Sequence, residues 1–252
     1  IISSILVLAL LGGVVAFVLF ARDMPGFISE FGASELHQEF ISTPLEDFKS
    51  AAVDIDWTSG PAKLYALSDS NNLLEGDINY FGNLYFNVEP DGDQVEINLD
   101  TRIDGFFFGL SSDDGRDRSW EIGLHPDIRL DLTLDAASGP GEYDLSRLNI
   151  ERFNIDAGSG PLTITLPESG RIKGVIDGGS GPITLILPDS LEAQVTLDDG
   201  SGPFNPSSRF NKIRTDQDDE DITIWVTGDD FAGADNYIDL EIDQGSGPLR
   251  IE

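Results

Sequence analysis

The amino-acid sequence predicts an all-β protein, a flattened β-solenoid of coils about 21 residues long, preceded by one hydrophobic α-helix. Three observations predict it. Ser-Gly-Pro recurs at Ser138, Ser159, Ser180 and Ser201, each 21 residues after the last, with outlying copies at Ser59 and Ser246. Three residues before each of these serines stands an aspartate: Asp56, Asp135, Asp156, Asp177, Asp198 and Asp243. Apolar residues alternate with polar ones through the flanking segments, and 27 Gly and 13 Pro punctuate them, which is the composition of strands joined by tight turns.

Residues 1–22 come first. Ile1 to Ala21 carries no charge, and as a helix it spans about 31 Å at 1.5 Å per residue, the thickness of a bilayer core. A transmembrane or assembly-core helix is expected there. Residues 23–51 read as a neck: Pro25-Gly26 breaks the first helix, and Ser42-Thr43-Pro44-Leu45-Glu46 has the hydroxyl-then-proline order of a helix start. A short helix capping the first coil is therefore expected. The solenoid is assigned to residues 52–252. Val53 and Ile55 lead into the turn Asp56, Ser59, Gly60, Pro61, and weaker copies lie at Ile78–Leu84 and Ile97–Asp100. Trp120–Leu124 and Ile128–Leu134 alternate as strands, and a charged loop (Ser111–Arg118) follows Phe106–Phe108.

The regular array follows. Its turns are Ser138-Gly139-Pro140, Ser159-Gly160-Pro161, Ser180-Gly181-Pro182 and Ser201-Gly202-Pro203. Leu166-Pro167-Glu168-Ser169 and Leu187-Pro188-Asp189-Ser190 mark a second corner, so each coil holds two strands and two corners. Ile213–Ile222 matches the unit with acids in the turn, and Ser246-Gly247-Pro248 is expected to close the array.

Each residue of the unit has a physical reason. Glycine tolerates a positive φ at the corner. Proline fixes the exit into the next strand and has no N–H to satisfy. Aspartate accepts hydrogen bonds from turn amides. Coils stacked about 4.8 Å apart would align these aspartates into a row. Such carboxylates repel unless hydrogen-bonded, neutralised or bridged by a cation. Asp135, Asp156, Asp177 and Asp198 are thus both repeated turn caps and a candidate Ca²⁺ ladder. The Gly-Gly-x-Gly-x-Asp spacing of calcium-binding β-rolls is absent.

Other chemistry is sparse. A formal charge of −31 argues against nucleic acid and anionic membrane surfaces as partners. Zero cysteines exclude disulfides and thiol nucleophiles. His37 and His125 are the two imidazoles and lie far apart in sequence. No acid pair is spaced for hydrolysis, so no catalytic residue and no cofactor beyond Ca²⁺ is expected.

The recurring Asp-x-Gly-Ser-Gly-Pro-Leu-x-Ile pattern behind an apolar segment resembles the bacterial DUF4097 and LiaF-like "toastrack" adhesin-type domains. That resemblance implies a β-solenoid outside the cytoplasm, at the cell surface or in the periplasm, with roles in protein contacts or envelope-stress sensing. The apolar N-terminus, with Gly12-Gly13 and the Pro25-Gly26 break before a β-domain, also resembles a processed pilin, with Ile5 where bacterial pilins place an acid. The expectation is a non-enzymatic, membrane-anchored structural or interaction module. Ile1–Ala21 would contact a bilayer or other subunits, and the solenoid other proteins or copies of itself. The alternatives are a subunit of a pilus-like filament and a stress-sensing domain.

Overall fold

Strict alternation of inward apolar and outward polar residues builds strands that bury one face each. In the computed structural model, the described residues are 36–57, 60–102, 118–136, 138–215, 222–228 and 233–252, with backbone alone at 214 and 215. The expected helix at 1–22, residues 23–35 of the neck, Ser59, Phe106–Phe108 and the acidic run 216–221 lie outside them. Among the described residues no helix is long and apolar enough to cross a membrane.

The first half of the chain forms β1 (Leu36–Pro44), β2 (Ser50–Trp57), β3 (Ala62–Ala66), β4 (Asn72–Phe81), β5 (Asn83–Asp91), β6 (Gln94–Arg102), β7 (Ser119–Leu124), β8 (Arg129–Ala136) and β9 (Gly141–Asp144). The second half forms β10 (Asn149–Ala157), β11 (Leu162–Thr165), β12 (Arg171–Asp177), β13 (Ile183–Ile186), β14 (Glu192–Asp198), β15 (Phe204–Asn205), β16 (Asn211–Thr215), β17 (Ile222–Val226), β18 (Tyr237–Asp243) and β19 (Leu249–Ile251).

Two sheets result. One runs β1-β4-β7-β3-β9-β11-β13-β19-β15, and the other β16-β17-β14-β18-β12-β10-β8-β2-β6-β5. Each coil gives one strand to each sheet, as the two-corner repeat predicts. Their inward residues form one core, in which Ile55, Leu64, Ile97, Ile122, Leu130, Ile164 and Ile176 are buried. Trp57 stacks on Tyr143 at 5.3 Å and meets Trp120 edge-on at 5.9 Å.

Three expectations need correction. The helix start at Ser42–Glu46 is instead the end of β1, which pairs antiparallel with β4 up to Pro44, followed by a turn at Glu46. Ile41 and Thr43 are β-branched, alternate inward and are buried, and Pro44 sits at the strand end, where no ladder N–H is required. The segment Ile213–Ile222 is not a coil: β16 and β17 pair with each other antiparallel. The order of coils also departs from the chain order. Strands β18 and β19 insert between the coils of β12–β13 and β14–β15, and β2 and β3 insert between the coils of β6–β7 and β8–β9. Ser246-Gly247-Pro248 therefore lies inside the array and does not close it. Antiparallel strands occupy three of the four sheet ends, β4 and β1 beyond β7, β5 beyond β6, and β17 and β16 beyond β14, while the parallel β15 ends the fourth.

Candidate functional site

The corner repeat is where the sequence concentrates its signal, and the structure gives its glycines and prolines distinct physical roles. A methyl group added at Gly139 would sit 1.8 Å from the Gly60 carbonyl oxygen, and one at Gly160 1.9 Å from that of Gly139. Gly181, Gly247 and Gly202 meet the preceding corner's carbonyl in the same way, at 2.0, 1.9 and 2.1 Å. Positive φ is found only at Gly60 among these six, so close stacking of backbones, not turn conformation, is what demands glycine at the others. The proline carbonyls carry the inter-coil ladder. Pro61, Pro140, Pro161, Pro182, Pro248 and Pro203 each accept from an amide of the neighbouring coil at 2.8–3.0 Å: Trp120, Ala62, Gly141, Leu162, Ile183 and Leu249 respectively. Among the serines, Ser138, Ser159, Ser180, Ser201 and Ser246 turn to solvent.

The aspartates align. Register pairs Asp198 with Asp243, Asp243 with Asp177, Asp177 with Asp156, Asp156 with Asp135, Asp135 with Asp56, and Asp56 with Asp100. Seven strands thus contribute one carboxylate each along a row of six strand spacings, ~29 Å. The turn-capping role is drawn at Asp243, whose Oδ1 accepts from the Gly245 amide at 3.2 Å. Backbone carbonyls of the neighbouring coil take other turn amides: Gly178 donates to Asp243, Ser201 to Gly245 and Ser246 to Gly179. Burial and the neighbouring carboxylates push Asp56 above the usual carboxylate range, with Asp135 and Asp100 contributing most after burial. Asp177 is raised by burial and then by Asp156 and Asp243. Asp54, one residue pair inward, is raised by burial and by Glu96 and Asp100.

The row ends differently on its two sides. At β6, Arg102 donates to Asp100 at 2.9 Å and lies 4.6 Å over the Tyr85 ring. At β14, Asp198 faces Ile222 of β17. Asp135, Asp156, Asp177 and Asp198 form a line, and among the described residues no three His, Cys, Asp or Glu side chains converge as a metal site. His37 packs on Tyr80, ring centroids 5.5 Å apart, while His125 Nδ1 accepts from the Asp127 amide at 3.2 Å. An open cleft of about 540 Å³ lies between the β5 end and β8–β10, where Arg129 pairs with Glu151 at 3.4 Å and Arg152 with Asp131.

A family model described as the N-terminal domain of toast_rack, DUF2154, matches residues 32–186, more than half of the chain. The chain belongs to the toast_rack family. None of the curated proteins matches it. Among solved structures, a proposed cell adhesion protein from Clostridium sporogenes superposes on this toast_rack chain with a TM-score of 0.69 at 19% identity, covering 86% of this chain and 99% of its own. A proposed adhesin from Bacteroides fragilis covers 87% and 98% of the two chains at 11% identity, with a TM-score of 0.34. The first likeness shows that the toast_rack fold is shared. Sequence reasoning recognised six members of the aspartate row from the Ser-Gly-Pro turns. Asp100 is marked only by the apolar alternation of Ile97 and Leu99 before it.

Proposed function

We propose that this toast_rack chain is a non-enzymatic protein-interaction module displayed outside the cytoplasm, with its apolar N-terminal segment, Ile1–Ala21, as the anchor. The observation that carries this reading is the row of seven in-register aspartates on one sheet face. A rigid, repetitive face backed by a continuous core offers an extended docking surface, whereas chemistry needs groups converging on one point. The shared fold with a protein described as a cell adhesion protein supports a surface role. So does the charge of −31, which keeps an exposed domain soluble and steers cationic partners toward it. The filament and stress-sensing readings rest on the segment before residue 36 and on what it assembles with.

Display is tested by protease treatment of intact cells expressing the full chain with a C-terminal epitope. Loss of the epitope without lysis, together with release of the chain by detergent but not by alkaline carbonate, is expected. An epitope protected until the cells are lysed, or a chain released by carbonate alone, would overturn the reading.

A further inference from the structure

The Asp198 end of the aspartate row differs from the remainder in its neighbours. One residue pair inward from the row, the outward positions are Asn98, Asp54, Thr133 and Asn154 on β6, β2, β8 and β10. On β12, β18 and β14 they become Val175, Glu241 and Thr196. Val175 is 44% exposed, so its methyl groups are open to a partner. Ile222 continues the aspartate row beyond Asp198, on the antiparallel strand β17. These residues enclose an open trough of about 310 Å³, lined by Val175, Thr196 and Ile222 and by Asp177, Asp198, Glu241 and Asp243. β18 forms the floor of the trough between β12 and β14 and adds Glu241 and Asp243 to its carboxylates.

Aliphatic walls beside a bank of carboxylates match one kind of side chain, a long methylene stem ending in a cation. Lysine and arginine bury their stems along apolar surface while the head stays at a polar rim. We propose that this trough is a docking site for basic side chains of a partner polypeptide, their stems against Val175 and Ile222 and their cationic heads among Asp177, Asp198, Asp243 and Glu241. Charge complementarity selects the occupant, since an anionic group would meet four acids of like charge and a purely apolar one would desolvate them. The inference rests on the reading of the chain as an interaction module and names the chemistry of its partner.

Binding of fluorescently labelled octalysine to the full chain at near-physiological salt tests it. Val175→Ser and Ile222→Ser remove the walls without changing charge, and each is expected to weaken binding about threefold to fivefold. Asp177→Asn with Asp243→Asn is expected to weaken it about tenfold or more. Asp56→Asn with Asp135→Asn removes the same charge from the same row outside the trough, and less than a twofold change is expected. Thr196→Lys, which places the chain's own cation in the trough, should abolish the trough-dependent part, and thermal melts check that every variant folds. Equal losses from the two aspartate pairs, or unchanged binding in the wall variants, would mean a diffuse field and overturn the proposal. So would sedimentation showing a dimer that Val175→Ser dissociates, because the occupant would then be a second copy. If octalysine ignores the trough while intact-cell proteolysis still reaches the domain, this inference fails alone. If proteolysis does not reach it, the display reading fails.

Discussion

At the scale of single residues, the corner glycines and the aligned aspartates are the two features whose substitution reads out most directly. Gly160 has no room for a methyl group, 1.9 Å from a carbonyl that itself belongs to the inter-coil stack. Gly160→Ala must separate two coils locally, and a loss of about 1–3 kcal/mol in urea unfolding is expected, the range for overpacking a tight interior. Gly92, at the tip of the β5–β6 hairpin, has open space around it but a φ of +65°. Gly92→Ala should therefore cost only about 1 kcal/mol, from backbone strain alone. The aspartates act oppositely to most carboxylates. Asp54, Asp56 and Asp177 have folded-state pKa values above the ordinary 3.8, so the folded chain binds their protons more tightly than the unfolded chain does. Their charged forms destabilise the fold at neutral pH. That penalty is relieved as pH falls through the raised values and is gone below the ordinary one. Urea midpoints should rise on acidification from pH 7 toward pH 4, and Asp56→Asn should raise the midpoint at pH 7 and flatten this slope. A midpoint falling monotonically with acid would contradict it.

At the scale of elements, the coils of β2–β3 and β18–β19 lie next to the ends of the chain's described part yet have neighbours on both sides. An edge coil exposes one row of amides and carbonyls, whereas an inserted one hydrogen-bonds along both. Leu240 on β18 is 1% exposed and flanked by Gly174 and Val195 in register. Leu240→Ala should cost about 2–5 kcal/mol, as in a central strand. Amide exchange of β18 should be as slow as that of β12, with the β16–β17 hairpin exchanging faster. Coil length, the two corners and the inward positions were legible in the sequence, because stacking repeats a local chemical demand at every coil. The order of coils was not, since a parallel strand such as β18 carries the same alternation wherever it inserts. One signal did exist. The units at Asp56 and Asp243 are complete copies, whereas the outermost repeats of a solenoid are usually degenerate. The helix expected at Ser42 failed because a hydroxyl before proline also suits the end of an edge strand, and Ile41 with Thr43 had a core face to fill. The aspartate row was readable as a column, but the trough was not, because it needs β18 between β12 and β14 and the antiparallel β17 beside β14, neither of which the repeat specifies.

At the scale of the molecule, the fold sets attraction in its interior against repulsion on its surface. Carboxylates one strand spacing apart repel by about 1 kcal/mol per neighbouring pair in water, and the row contains six such pairs within a chain of charge −31. Screening shortens the reach of that repulsion from about 30 Å at 0.01 M salt to about 10 Å at 0.1 M, below the length of the row. The melting temperature should therefore climb steeply with NaCl at low ionic strength and level off once the screening length falls below a few strand spacings. Calcium separates two ways of relieving the repulsion. Carboxylates in a line, each on its own strand, offer no cage of the six to eight oxygens that Ca²⁺ takes. At matched ionic strength CaCl₂ should then stabilise the chain only as far as its greater charge screens, with no sharp saturation. A saturable gain at micromolar Ca²⁺, reversed by chelator and lost in Asp156→Asn, would instead make Asp135, Asp156, Asp177 and Asp198 a true cation ladder. Neutralisation of the row by a basic partner should raise the melting temperature in the same direction as salt, and the two gains should not add. Above the salt concentration at which the row is already screened, the partner's stabilisation should shrink to what its apolar contacts supply.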